Sequence, residues 1–476
     1  MIATLVLPQQ IAADIDAAAR SSVETAGVLI ASVVDADQGN IRILGRKMEW
    51  VPEASYIRRG ADHLSIASDG YVHFLAEAES LRAIAIWVHT HPGIDSAPLP
   101  SRHDNEVDLQ IADLFRLRTN SKYYGALIFS PRAKGLAFTG YIHSDDKARI
   151  PVARLWEVGD RFRLTHAFDL PAFEIQSIFD RNVRAFGGGV QRALGNLCIG
   201  VVGCGGTGSA VAEQLVRLGV RNLLLFDGDV LSASNLTRVY GSSATDVGRA
   251  KVDVLAAHLK RIAPDVRCDA VQSMITMVST ARHLCDCDIV FGCTDDNAGR
   301  LVLSRFSTYM LTPVIDSGIL LTSDESGQLL GIDGRVTTLV PGQACLVCRG
   351  RVDLARAGAE LMTPAERQRR EDEGYAPGLG RTEPAVVSFT TIVAATAVSE
   401  LLERIIGYGP QPRPSEVLLR CHDREISTNV ESPREGHYCH LTSGKLGIGF
   451  TYPFLVRKLR LFVFYHVRVL PDDEPK

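Results

Sequence analysis

A chain of 476 residues, 46% of them hydrophobic, is long enough to bury more than one core, and its length predicts at least two domains. Its net charge of −4, from 51 basic and 55 acidic residues, excludes a global attraction to nucleic acid or to an anionic membrane. No stretch reaches the ~18 consecutive apolar residues of a membrane span, and the start "MIATLVLPQQIAADIDAAAR" lacks a basic region before an apolar core, the pattern of a soluble cytoplasmic protein. Ten scattered cysteines, several inside apolar runs such as "NLCIGVVGC", point to free thiols or zinc ligands rather than a disulfide framework.

In chain order, residues 1–150 mix β-rich runs ("TAGVLIASVV", "AIAIWVHTH", "YYGALIFSP", "GLAFTGYIH") with helical ones ("YVHFLAEAESLRAI", "DNEVDLQIADLFRL"), an α+β pattern. Residues 151–194 read as a polar, helix-prone connector ending in "FDRNVRAFGGGVQRAL". Over 195–408 apolar strands alternate with helices ("LCIGVVG", "GSAVAEQLVRLG", "NLLLFD", "GRAKVDVLAAHLKRIAP", "CDIVFGCTD", "TPVIDSG"), which predicts an α/β domain with a parallel-rich sheet. A long polar insertion then precedes the apolar helix "AVVSFTTIVAATAVSELLERI". Residues 409–476 read as a tail completing that domain, with "FLVRKLRLFVFYHVRVLPDDEPK" as a packed strand pair.

"VHTHPGIDSAPLPSRHD" places His89 and His91 two apart at a strand end, so both imidazoles leave one face and reach one ion. Asp104 supplies a carboxylate oxygen and leaves a fourth position for water, the arrangement of a catalytic rather than a structural zinc. Glu24 in "ETAGVLI" is the candidate base, Asp95 and Asp108 are weaker alternatives to Asp104, and His103 reads as a loop residue. The set Glu24, His89, His91, Pro92, Ser101 and Asp104 resembles the JAB/MPN (JAMM) metalloprotease family. The resemblance implies Zn²⁺ on His89, His91 and Asp104, Glu24 as general base and Ser101 helping to stabilise the oxyanion. Twelve residues separate His91 from Asp104, two more than is usual in that family, with the Ser-x-x-Asp unit intact.

"VVGCGGTGSA" sets Gly203, Gly205, Gly206 and Gly208 between a strand and a helix, where backbone amides approach phosphate. Asp227 ends the next strand in "LLLFDGD", beside Asp229, and is placed for ribose hydroxyls. Asn235, Arg238 and Lys251 follow; positive charge there suits a triphosphate better than a nicotinamide. Asp295 in "FGCTDDNAGR" is placed to hold Mg²⁺ near an α-phosphate. Together these resemble the Rossmann-like ThiF/MoeB and ubiquitin-activating enzyme family over about 180 to 440. That resemblance implies ATP-dependent adenylation of the C-terminal carboxylate of a ubiquitin-like or sulfur-carrier protein. It matches Arg181 and Arg184 to an arginine pair that reaches the partner subunit's ATP, and so implies a homodimer. Asp296 stands where relatives often carry asparagine.

Cys345 and Cys348 in "CLVC" have the spacing of half a structural zinc site, for which His437, Cys439 and His440 in "GHYCH" and the isolated Cys421 are candidate completions. No cysteine lies between Cys348 and Cys421 to take up the adenylated protein. Thr382 in "GRTEP" falls where some relatives place that nucleophile, either as a helix cap or as an oxyester acceptor, unless the adenylate passes directly to a partner's thiol. The combined expectation is a peptidase fused to an activating adenylyltransferase, as in bacterial ubiquitin-like conjugation systems, with a conjugating enzyme as further partner. Sulfur-carrier activation, a nicotinamide-dependent oxidoreductase and an inactive scaffold are the other readings.

Overall fold

The computed structural model describes residues 2–36, 39–93, 98–145, 148–167, 175–324, 326, 328–372 and 385–451. They divide into two compact units, one of residues 1–173 with 447–451 and one formed by the rest. The expected strand pair in the last 23 residues, Asp95 and Thr382 lie outside the described residues.

The first unit is α+β. Its strands are β1 (Ala3–Pro8), β2 (Ala26–Asp35), β3 (Ile41–Trp50), β4 (Tyr56–Arg59), β5 (Leu64–Ile66), β6 (Ile84–Thr90), β7 (Tyr124–Pro131), β8 (Leu136–His143), β9 (Arg149–Val158) and β10 (Phe162–His166). Three helices accompany them: α1 (Gln9–Ala19), α2 (Asp69–Ser80) and α3 (Arg102–Thr119). The sheet runs β1-β3-β2-β6-β7-β8-β9-β10, and β1 also pairs with β9, so seven strands close into a barrel-like ring; β4 and β5 form a separate hairpin. The near-continuous apolar run of β2 serves two cores. Leu29 and Ala31 join Ile15 of α1 and Phe129 in one, while Val28 and Ile30 face Phe74 of α2 and Phe115 of α3 in the other.

Residues 149–166 form β9 and β10 where the sequence predicts a helix-prone connector. The reason is pairing: β9 fills the gap between β8 and β1, and its buried Val152, Leu155 and Trp156 complete the barrel wall. The helix expected over "YVHFLAEAESLRAI" stops at Ser80, with Arg82 at φ 50° turning the chain into β6. His103 belongs to the first turn of α3 rather than to a loop.

The second unit is α/β. It opens with α4 (Asp180–Phe186) and α5 (Gly188–Asn196), then alternates β11 (Cys198–Val202), α6 (Gly206–Arg217), β12 (Asn222–Phe226), α7 (Lys251–Ile262), β13 (Arg267–Val271), α8 (Val278–His283), β14 (Ile289–Gly292), α9 (Asn297–Tyr309) and β15 (Val314–Ser323). After these come β16 (Leu329–Leu339), α10 (Leu354–Glu360), α11 (Pro364–Asp372), α12 (Val387–Ile406), β17 (Glu416–Arg420) and β18 (Glu425–Asn429). Strand order is β13-β12-β11-β14-β15-β16-β17-β18, parallel through β15 and antiparallel beyond it. The order reverses between β11 and β14, so the glycine turn after β11 opens at a topological switch point. No helix among the described residues is long and apolar enough to cross a membrane.

Two glycines make that turn possible. Gly203 has φ +91°, and a Cβ there would stand 2.6 Å from the Cys293 carbonyl oxygen; a Cβ on Gly208 would lie 1.8 Å from the Gly203 oxygen. Gly205 meets nothing within 4 Å. Gly208→Ala is therefore expected to lower the melting temperature of the second unit by the equivalent of about 1–3 kcal/mol of overpacking, with Gly205→Ala leaving it unchanged. Calorimetry checks this, and equal melts for the two variants would contradict it.

Candidate functional site

Strand β6 carries His89 between Ala26 of β2 and Ile128 of β7 and ends at Thr90, after which the His91 amide donates to the Phe129 carbonyl. Two residues along one extended chain put both imidazoles on one side. Their Nε2 atoms are 3.2 Å apart. Asp104 arrives from the first turn of α3, where a capping box aims it: its amide donates to Ser101 Oγ at 3.0 Å, and its Oδ2 accepts from the Ser101 amide at 2.7 Å. Its Oδ1 lies 3.5 Å from His89 Nε2 and its Oδ2 3.9 Å from His91 Nε2. Tetrahedral zinc with nitrogen and oxygen ligands needs donor atoms about 3.3 Å apart, and this set fits such an ion. Asp108, the alternative ligand, instead faces His143, with Oδ2 3.2 Å from Nε2.

Glu24 Oε1 stands 3.8 Å from His91 Nε2. Burial, reinforced by the neighbouring Asp104 charge, pushes its carboxyl up to about 7. Burial also pulls His89 down to about 4 and lowers His91, so both imidazoles stay neutral and retain ligand lone pairs. The Glu24 backbone is clamped by the β4–β5 hairpin: its amide donates to the Gly60 carbonyl at 2.7 Å, and Arg59 Nε donates to its carbonyl at 2.8 Å. Arg59 Nη2 also donates to Thr25 Oγ1 at 2.7 Å, and its guanidinium stacks on Tyr56, 4.5 Å from the ring centre. Sequence reading missed Arg59, because "YIRRG" carries no signal that its arginine meets a backbone 35 residues away.

In the second unit a cavity of about 630 Å³ opens at the switch point, lined by Gly203, Gly205, Gly206, Asp227, Asp229 and Asn235 and by Arg238, Lys251 and Asp295. Gly208 lies outside it and serves packing. Asp227 accepts from the Cys204 amide at 2.7 Å and the Asp229 amide at 2.8 Å, which orients its carboxylate, while burial raises its proton affinity against the pull of Lys251. Lys251 Nζ rests on Asp229 Oδ2 at 2.8 Å and Arg238 Nη1 on the Ser234 carbonyl at 3.0 Å. Asn235 caps its own turn, Oδ1 accepting from the Ser232 amide at 3.0 Å. Asp296 is the N-cap of α9, its carboxylate taken up by the Gly299 amide and the Thr294 hydroxyl, a role asparagine fills equally well. Arg181 and Arg184 are not among the residues lining this cavity; Arg184 pairs with Asp180 on the exposed face of α4.

Cys345, Cys348, His437 and Cys439 bring one donor atom each within 4.8 Å of one another. His437 Nδ1 lies 3.6 Å from Cys345 Sγ, 3.4 Å from Cys348 Sγ and 3.2 Å from Cys439 Sγ, and the Cys348 and Cys439 sulfurs are 3.7 Å apart. A tetrahedral zinc requires about 3.6 Å for S···N and 3.8 Å for S···S. The hydrogen bond from Cys439 holds the Cys345 thiol down near 3, a thiolate ready for a cation. The ligand pattern is thus Cys-x-x-Cys with His-x-Cys. His440 is not part of it, because its Nδ1 turns to Thr442 Oγ1 at 2.8 Å, and Cys421 sits at the end of β17, its amide bonded to the Ile332 carbonyl.

The Glu24 environment has a measurable cost. A carboxyl at about 7 rather than its ordinary 4.5 binds its proton more tightly folded than unfolded, so its stabilising contribution is full below about pH 4.5 and is lost as pH rises through 7. For chelator-treated protein, Glu24→Gln is expected to raise the melting temperature at pH 8 relative to wild type, with the gain shrinking towards pH 5. A pH-independent difference would contradict this.

Comparison with known proteins places the second unit in a family. The ThiF family model matches residues 179–439. Ubiquitin-like modifier-activating enzyme 5 of Bombyx mori is 32% identical over 162 residues, covering 32% of this chain and 39% of that protein. Molybdopterin-synthase adenylyltransferase of Escherichia coli (strain K12) is 31% identical over 172 residues, covering 36% of this chain and 65% of that protein. The chain thus spans less than two thirds of each relative. The solved structure of E. coli MccB with ATP is 18% identical, covers 57% of this chain and 76% of that chain, and has a TM-score of 0.44. The first unit lies wholly outside the matched residues; through residues 179–439, which are more than half its length, the chain belongs to the ThiF family.

Proposed function

We propose that the second unit adenylates the C-terminal carboxylate of a ubiquitin-like or sulfur-carrier protein, as the names of its relatives suggest. One observation carries this reading: the cavity at the switch point joins a glycine turn and helix N-terminus to Asp227 on one side and to Arg238, Lys251 and Asp295 on the other. The glycine turn and Asp227 would hold the α-phosphate and ribose. Lys251, released from Asp229, and Arg238 would hold the β- and γ-phosphates. The incoming carboxylate oxygen bonds to the α-phosphorus, the α–β phosphoanhydride bond breaks, and pyrophosphate leaves with its electron pair. Mg²⁺, held by Asp295, would offset the charge gathering on the phosphates. Lys251 and Arg238 disfavour a nicotinamide at this place. Arg181 and Arg184 would act only across a homodimer.

For the first unit we propose peptide or isopeptide hydrolysis, supported by the convergence of His89, His91 and Asp104 with a raised Glu24 beside them. Zn²⁺ held there would supply a Lewis acid and lower the pKa of a coordinated water to about 7. Glu24 takes the proton of the attacking water and returns it to the leaving amine. Ser101, whose oxygen already accepts the Asp104 amide, has its hydroxyl proton left to offer a developing oxyanion. Both units would then address one substrate, the extended tail of a small modifier, with a conjugating enzyme or sulfur-transfer partner next in line.

Isotope exchange between pyrophosphate and ATP, stimulated by a ubiquitin-like tail, tests the adenylation. Lys251→Ala is expected to reduce exchange by about 10²–10³-fold, the loss typical of one group on developing charge; full exchange in that variant would overturn the assignment. Glu24→Gln is expected to reduce cleavage of a modifier–peptide fusion by about 10²–10⁴-fold without affecting exchange. Chelation should abolish cleavage and added Zn²⁺ restore it, whereas cleavage that survives Glu24→Gln would contradict the role of that carboxyl.

A further inference from the structure

A second cavity, of about 260 Å³, adjoins the His89 and Asp104 side of the candidate metal centre. Leu64 and Ile66 of β5, Trp87 of β6, Ile111 of α3 and Ile128 of β7 give it apolar walls. One wall residue breaks the pattern. Asp108, one helical turn beyond Asp104, lines the same cavity with a side chain only 13% exposed. Its Oδ2 lies 3.2 Å from His143 Nε2 and the fully buried Tyr124 hydroxyl also interacts with the carboxylate, while its Oδ1, out of solvent, completes no hydrogen bond. A carboxylate oxygen left without a donor beside an apolar-walled cavity is costly unless a ligand supplies one.

We propose that this cavity is a specificity pocket for a long basic side chain next to the bond the first unit cleaves. The apolar walls suit a methylene stem, Tyr71 and Trp87, ring centres 5.5 Å apart, add aromatic surface, and Asp108 receives the cationic tip. The volume exceeds what a glycine at that position needs. Arg149 also borders the cavity, but its guanidinium is engaged 3.6 Å above the Tyr141 ring and it is exposed, where water screens its charge. The catalytic meaning of the pocket rests on the peptidase reading; the binding preference does not.

The test titrates the full-length protein with Nα-acetyl-lysine amide, its norleucine analogue and its glutamate analogue, following tryptophan fluorescence, with Trp87→Phe identifying the signal from Trp87. The lysine probe is expected to bind about tenfold or more tightly than the other two. Asp108→Asn should remove the difference, and Asp108→Glu, checked for an unchanged melt, should keep it. Equal binding of lysine and norleucine, tighter binding of glutamate, or discrimination that persists in Asp108→Asn would overturn the pocket. Peptides carrying lysine or norleucine beside the scissile bond separate the two claims. Cleavage without lysine preference removes the pocket and leaves the peptidase, whereas lysine-selective binding with no cleavage of either peptide removes the peptidase and leaves the pocket.

Discussion

Lone pairs crowd together at two places in this chain, and the repulsion among them is the constraint on which the functional account depends. Two imidazole nitrogens 3.2 Å apart share one proton at best, and Asp104 brings its carboxylate to 3.5 Å from the His89 nitrogen and 3.9 Å from that of His91. Three sulfurs and a nitrogen gather in the same way around Cys345. Folding holds these atoms at such separations only because barrel pairing and a helix cap position the first set, and the packing of Ala344 and Tyr438 encloses the second. A cation of zinc's size and coordination turns both costs into stabilisation.

The cavity at the switch point is built on the opposite logic. Its cations are provisionally neutralised: Lys251 leans on Asp229 and Arg238 on a backbone carbonyl, contacts that a triphosphate would replace with stronger ones. Asp227 and Asn235, by contrast, are engaged by backbone amides and keep their places. The site therefore combines a rigid half that would select the nucleoside with a yielding half that would follow the phosphates.

Much of this was legible in the sequence where chemistry depends on short spacing. His89 and His91 share a face because strand period is two, and the glycines around Gly205 announce a strand-to-helix turn. What the sequence concealed depends on distant partners. Strands β9 and β10 look polar because Arg149, Arg154, Glu157 and Arg163 lie along them, and what makes them strands is the pairing of β9 with β1 and β8 and of β10 with β9. Arg59 meets Glu24 through a backbone carbonyl, which leaves no pattern in the residues. His437 rather than His440 joins the cysteines because a local cap to Thr442 removes the latter, a competition that the run "GHYCH" does not reveal.

Zinc stoichiometry on the full-length protein tests the central claim most directly. The account predicts two equivalents per chain, one lost in His89→Ala with the other retained, and the reverse in Cys345→Ala. A single equivalent untouched by His89→Ala would contradict the reading of the first unit, and a protein holding no metal would contradict both centres.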